Sequence, residues 1–204
     1  MRCIGKAEQQ QGGIFMKNTK TLVLFSLFSA VILLLSLTPL GYIPMPFGPT
    51  ATIIQIPVIL GSVIIGKKGG LCLGLVFGLS SFIQCFGKDP FGVALLGINP
   101  FFTVILCIIP RMLMGFLSGL IFETLNKKKE GFVTNLITSI SGSFLNSALF
   151  LGTLAILFGN ANYGGAAIVS IIKTVMIFNG LAEIIICSIV CPGIISATRK
   201  FKKQ

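Results

Sequence analysis

The sequence predicts an all-α integral membrane protein of six transmembrane helices with both termini in the cytoplasm. Three observations carry that expectation. Of 204 residues, 54% are hydrophobic and only 10% charged, against about 25% charged in a soluble domain. Apolar blocks of helical length alternate with short polar turns, and the mean hydropathy is +0.98. The positive charges lie almost wholly on alternate turns, which is how orientation in a bilayer is encoded. The net charge of +11 is split into short runs between apolar blocks, so it reads as membrane topology and no nucleic-acid partner is expected.

Residues 1–15, MRCIGKAEQQQGGIF, lack the apolar core and cleavage site of a signal peptide. Met16 opens MKNTK and an apolar run, and Gly12-Gly13 requires two GGN codons where a purine-rich ribosome-binding site would fall. Translation is therefore expected to begin at Met16, leaving 1–15 as a non-native or disordered extension before one domain, 16–204. Mass spectrometry of the native amino terminus checks this: a peptide covering Ala7 to Phe15 would overturn it.

The first span, 21–37, follows Lys17 and Lys20. Pro39, Pro44, Pro46 and Pro49 then fill a charge-free loop that no helix can occupy and that proline stiffens. A short second span, 51–66, contains Pro57; Lys67-Lys68-Gly69-Gly70 is expected to be a tight charged turn before a third span, 71–86. A loop over 87–97, with Lys88 and Asp89, leads to a fourth span, 98–122. The NKKKE turn (126–130), a fifth span (132–158), the loop GNANYGG (159–165), a sixth span (166–195) and a basic tail complete the chain. With this division thirteen Lys and Arg lie on one side and Lys88 alone on the other, while Arg111 and Lys173 fall inside spans. Were 51–86 a single crossing, NKKKE and the basic tail would face outward, against the positive-inside rule. The cytoplasmic turns are too short for a soluble domain. The expected setting is the lipid bilayer of a prokaryotic plasma membrane, crossed many times.

Arg111 stands near the middle of the fourth span, directly after Pro110. An arginine there costs roughly 2.5–3.5 kcal/mol on insertion scales, and such residues normally face a polar cavity or a partner. At 1.5 Å of rise per residue, Asn146 and Asn179 fall at similar depth. Glu183 follows Asn179 at i+4 and shares its helix face, while Lys173 lies nearer the outer mouth. Two readings stand open: Glu183 neutralises or orients Arg111 while the asparagines serve a ligand, or the polar groups merely bridge helices.

No enzyme is expected. Gly61-Ser-Val-Ile-Ile-Gly66-Lys67-Lys68 approaches a phosphate-binding loop but lacks the hydroxyl and the preceding strand that the motif requires. With no histidine, serine–histidine and zinc hydrolases are excluded. The six cysteines read as small apolar fillers. Cys187 and Cys191 have helical spacing but no histidine nearby, so neither a metal nor a cofactor is expected.

Three segments carry a resemblance: ATIIQIPVILGSVIIGKKGGLCLGLVFGLSSFI (51–83), NPFFTVILCIIPRMLMGFLSGLIFE (99–123) and NGLAEIIICSIVCPGI (179–194). In order and spacing they resemble the substrate-binding S components of energy-coupling factor (ECF) vitamin transporters. The nearest subgroup is that of pantothenate, riboflavin, folate and pyridoxine carriers. The resemblance implies capture of a small-molecule vitamin from outside, then association with a membrane coupling subunit and two ATPase subunits. Toppling in the membrane would present the ligand inward. It also implies that the small pair in Ser26-Leu-Phe-Ser-Ala30 docks on the coupling subunit, serine replacing the usual first alanine. The alternative is a stand-alone secondary transporter of a small metabolite, which would need internal repeats; residues 21–122 and 131–195 show no convincing one.

Pantothenate is preferred over riboflavin as the vitamin. There is no tryptophan, and the two tyrosines, Tyr42 and Tyr163, stand in outward loops, whereas a flat heteroaromatic ligand favours stacking surfaces. Pantothenate offers one carboxylate, one amide and hydroxyls. Arg111 or Lys173 suits the carboxylate, and Asn99, Asn146 or Asn179 the remainder.

Overall fold

Glycines set the tightest contact in the bundle, between α3 (Lys67–Gln84) and α5 (Pro100–Asn126). The computed structural model describes residues 19–38, 41–43, 51–87, 89–126, 132–159, 180 and 183–195. Gly70, Gly74 and Gly78 recur every fourth residue and give α3 a face without side chains. A Cβ on Gly70 would collide with the Gly115 carbonyl, one on Gly74 with the Arg111 carbonyl, and one on Gly78 with the backbone of Cys107 and Ile108. Such small-residue faces let two helix backbones touch inside a bilayer, where dispersion contacts drive association. The backbone of Arg111 is thereby pinned against α3. This period-four glycine pattern is legible in the sequence, but a period alone names no partner helix.

Two other helices frame the pair. α2 (Gln55–Ile65) reverses into α3 at the single residue Gly66, whose φ of 104° favours glycine. The expected turn at 67–70 is therefore narrower, and Lys67 through Gly70 are already helical. Lys67 Nζ pairs with Glu123 Oε2 at 2.9 Å, and the Lys67 amide donates to Glu123 Oε1 at 3.5 Å. That carboxylate lies where the helix dipole of α3 favours an anion, and it brings the end of α5 beside the α2–α3 turn. The phosphate-loop look-alike is thus the end of one helix and the start of the next.

α1 (Thr19–Leu37) buries only Ile32 and Ser36, while Leu27, Leu34 and Leu37 are exposed. Its last turn is tied to α3 by Gln84 Nε2, which donates to the Ser36 carbonyl at 3.0 Å. Beyond it, β1 (Tyr42–Ile43) and β2 (Ala51–Thr52) pair antiparallel, Tyr42 with Thr52. This two-residue ladder clasps the ends of the proline-rich segment, whose residues 44–50 lie outside the described set.

The expected loop over 87–97 is mostly helix: α4 spans Pro90–Ile98. Asp89 caps it, accepting from the amides of Phe91 at 3.3 Å and Gly92 at 3.1 Å, with Pro90 in the first turn. An N-cap aspartate followed by proline is a helix-start signal; the glycines and charges around it masked that signal in the sequence. Leu95 of α4 packs with Leu106, Leu154 and Phe158. Asn99 and Pro100 repeat the device for α5, Asn99 Oδ1 accepting from Phe101 and Phe102 at 3.1 and 3.3 Å.

α6 (Phe132–Phe158) has the bounds expected of the fifth span. Of the expected sixth span, the described part is Gly180 and α7 (Glu183–Ile195). Among the described helices, α1, α5 and α6 are long and apolar enough to cross a membrane. The outer surface is apolar, unlike that of a soluble protein, while the interior holds polar groups beside its apolar core. Phe101, Phe144, Ile156 and Ile189 face outward, whereas Gln55, Asn135, Ser143, Asn146 and Glu183 are buried. Large exposed apolar surface of this kind belongs against lipid.

Cys85 and Cys107 offer a direct check of the α3–α5 packing, their thiol sulfurs being 3.8 Å apart. A membrane-permeant disulfide-forming oxidant is expected to cross-link them within the monomer, read as one linked peptide pair by mass spectrometry. Recovery of only unlinked peptides from fully oxidised protein would contradict this packing.

Candidate ligand-binding site

The site grows from the shortness of α2. At 11 residues it rises about 16 Å, so its first turn stops well short of the far end of the 27-residue α5. The β2 residue Thr52, half-buried just before α2, is thereby placed beside the bundle interior, where polar groups need protein partners. Glu183 of α7 supplies them. Its Oε1 accepts from the Thr52 amide at 2.9 Å and from Thr52 Oγ1 at 3.0 Å. Ser147 Oγ of α6 lies 3.5 Å from Oε2, and the adjacent Asn146 is buried. One turn further along, Gln55 Nε2 donates to Ser143 Oγ at 3.0 Å and Cys187 Sγ at 3.3 Å. Cys187 and Cys191 are buried, and Cys187 joins this polar seam instead of serving as an apolar filler alone.

Arg111 is held differently. One guanidinium N–H donates to the Leu106 carbonyl at 2.9 Å, the acceptor that Pro110, lacking an amide, leaves available on this helix. The guanidinium carbon lies 4.4 Å from the Phe150 ring centroid and 5.7 Å from that of Phe77, distances at which a cation and a ring attract. No ion pair joins Arg111 and Glu183 among the described residues; the pair found there is Lys67–Glu123. Thr52 instead occupies Oε1 of the Glu183 carboxylate.

The other candidate residues divide clearly. Asn99 caps α5. Tyr42 contributes backbone pairing to Thr52, and its side chain lies outside the described set, as do Lys173, Asn179 and Tyr163. Thr52, Ser147, Phe77 and Phe150 were not singled out from the sequence. No single-residue signal marks a threonine beside a helix start or two phenylalanines among eighteen.

A charged, hydrogen-bonded cluster thus lies inside a lipid-facing bundle of helices. The chain belongs to the family described as ECF transporter, substrate-specific component, which it matches over residues 20–195. It is a multi-pass cell-membrane transport protein. Over 171 residues it is 27% identical to the pantothenic acid transporter PanT of Lactococcus lactis subsp. cremoris, covering 78% of this chain and 83% of that protein. Over 122 residues it is 36% identical to the pantothenate transporter PanT of Leuconostoc mesenteroides subsp. mesenteroides, covering 57% of this chain and 58% of that protein.

Proposed function

We propose that this chain captures pantothenate, in preference to riboflavin, for an importer completed by a membrane coupling subunit and two ATPase subunits. The similarity to two pantothenate transporters supports the substrate. The observation that carries the reading is Arg111, a guanidinium stacked on Phe150 inside an apolar bundle. Stacking and the Leu106 bond hold its plane steady, which suits two-pronged pairing with a carboxylate. The same stacking occupies the rings of Phe77 and Phe150, surfaces that a flat riboflavin ring would otherwise use. Asn146 serves the amide and hydroxyl part of the ligand. Asn99, Asn179, Lys173, Tyr42 and Tyr163 are the further ligand-contacting residues in this reading.

In this reading six spans cross the membrane and both termini are cytoplasmic. The reversal at Gly66 supports separate second and third spans, and the charged Lys67–Glu123 end fits the cytoplasmic side. Ligand captured from outside is presented inward when the subunit topples beside its coupling partner. Calorimetric titration of the purified chain tests the substrate: tight binding of pantothenate with none of riboflavin is expected. A yellow preparation carrying riboflavin would overturn it.

Docking has its own test. Ser26 and Ala30 are exposed on α1, as are their neighbours Val23, Leu27 and Leu34, which leaves this small-residue face open to another helix. Ser26→Leu or Ala30→Leu is expected to leave pantothenate binding intact and abolish uptake by the whole complex. Unchanged recovery of the coupling subunit in a pull-down would count against this interface.

A further inference from the structure

We infer that Glu183 and Asn146 read the hydroxyl-bearing end of the ligand and so fix the direction in which it lies, an inference that rests on the pantothenate reading. Thr52 satisfies only Oε1 of Glu183; at Oε2 the Ser147 hydroxyl stands at 3.5 Å, a weak contact. Asn146 Oδ1, on the residue next to Ser147 in α6, is buried without a hydrogen-bond partner among the described residues. Asn146 as a whole is 6% exposed. Gln55 Oε1, on a fully buried side chain at the start of α2, is in the same condition.

The cluster is thus rich in acceptors and short of donors. Buried acceptors left unmatched are unfavourable, and the groups that match them are O–H and N–H. A ligand carboxylate is excluded from this end, because it brings no donor and is repelled by Glu183. The complementary cation is Arg111, held apart from Glu183 on its phenylalanine face. A hydroxylated carboxylic acid therefore lies with its hydroxyls on Glu183 and Asn146 and its carboxylate on Arg111. The site selects for both ends together.

Titration of the full chain in detergent with three compounds tests this: pantothenate, the analogue with both hydroxyls replaced by hydrogen, and pantothenol, in which an alcohol replaces the carboxylate. Wild-type protein is expected to bind the dideoxy analogue at least tenfold more weakly than pantothenate, about the effect of one bond to a charged group. Glu183→Gln is expected to weaken pantothenate and leave the dideoxy analogue unaffected. Arg111→Gln is expected to weaken both acids and spare pantothenol. Equal binding of pantothenate and the dideoxy analogue by the wild type would overturn the inference while leaving the substrate intact, and needs no variant to fold. Absence of any pantothenate binding would instead overturn the substrate itself. Should Glu183→Gln prove unstable, Asn146→Ala carries the same expected pattern.

Discussion

Arg111→Ala is expected to lower ligand affinity more than a hundredfold. Removing one partner of a buried charge pair costs roughly 3–5 kcal/mol, because the other charge is left without compensation in a poorly solvated place. The ligand carboxylate would be that stranded charge. Arg111→Lys should recover only part of the loss, since an ammonium has neither the planar fork nor the flat face that rests on Phe150. Calorimetric titration with thermal melting of each variant checks this. Wild-type affinity in a well-folded Arg111→Ala protein would remove Arg111 from the binding site. The double variant Arg111→Ala, Glu183→Gln is informative too. Had the two formed a private ion pair, losing both would restore stability. Glu183 is instead bonded to Thr52, so the double variant is expected to be no more stable than the weaker single one.

Gly74→Val is expected to be the most damaging change outside the polar cluster. The first atom of any side chain there meets the Arg111 carbonyl and the Met112 backbone. Backbone cannot rotate aside as a side chain can, so α3 and α5 must separate along their whole glycine contact. Overpacking typically costs 1–3 kcal/mol, and a β-branched residue against backbone belongs at about 3 kcal/mol. Binding should fall with it, because Arg111 is carried by the displaced segment. Gly152, inside α6 with nothing within 4 Å of its missing Cβ, supplies the control: Gly152→Ala should not destabilise, and helix propensity favours it by roughly 0.5–1 kcal/mol. Denaturation of the detergent-solubilised variants separates the two. Equal stability of Gly74→Val and wild type would sink the close-packed interface.

Apolar length and the placement of charge are properties of a one-dimensional string, and they made the membrane class legible before any coordinates. The fifth span shows how far this reaches: an apolar run bounded by NKKKE and GNANYGG has the same bounds as α6. Arg111 was legible for the same reason, since a charge among apolar residues stands out by its cost. α4 was missed although its Asp-Pro start is a local signal, because glycine and charge beside it favour a loop. The glycine face of α3 was visible as a period of four, but a period names no partner, and only packing against α5 shows that it grips the Arg111 backbone. Thr52 and Glu183 are 131 residues apart in the chain. Their meeting depends on where α2 stops, how it reverses at Gly66 and which way α7 faces it. Composition encodes the solvent a segment prefers; the approach of distant polar groups is decided by helix packing, so the membrane class was readable in the residues and the wiring of the site only in the fold.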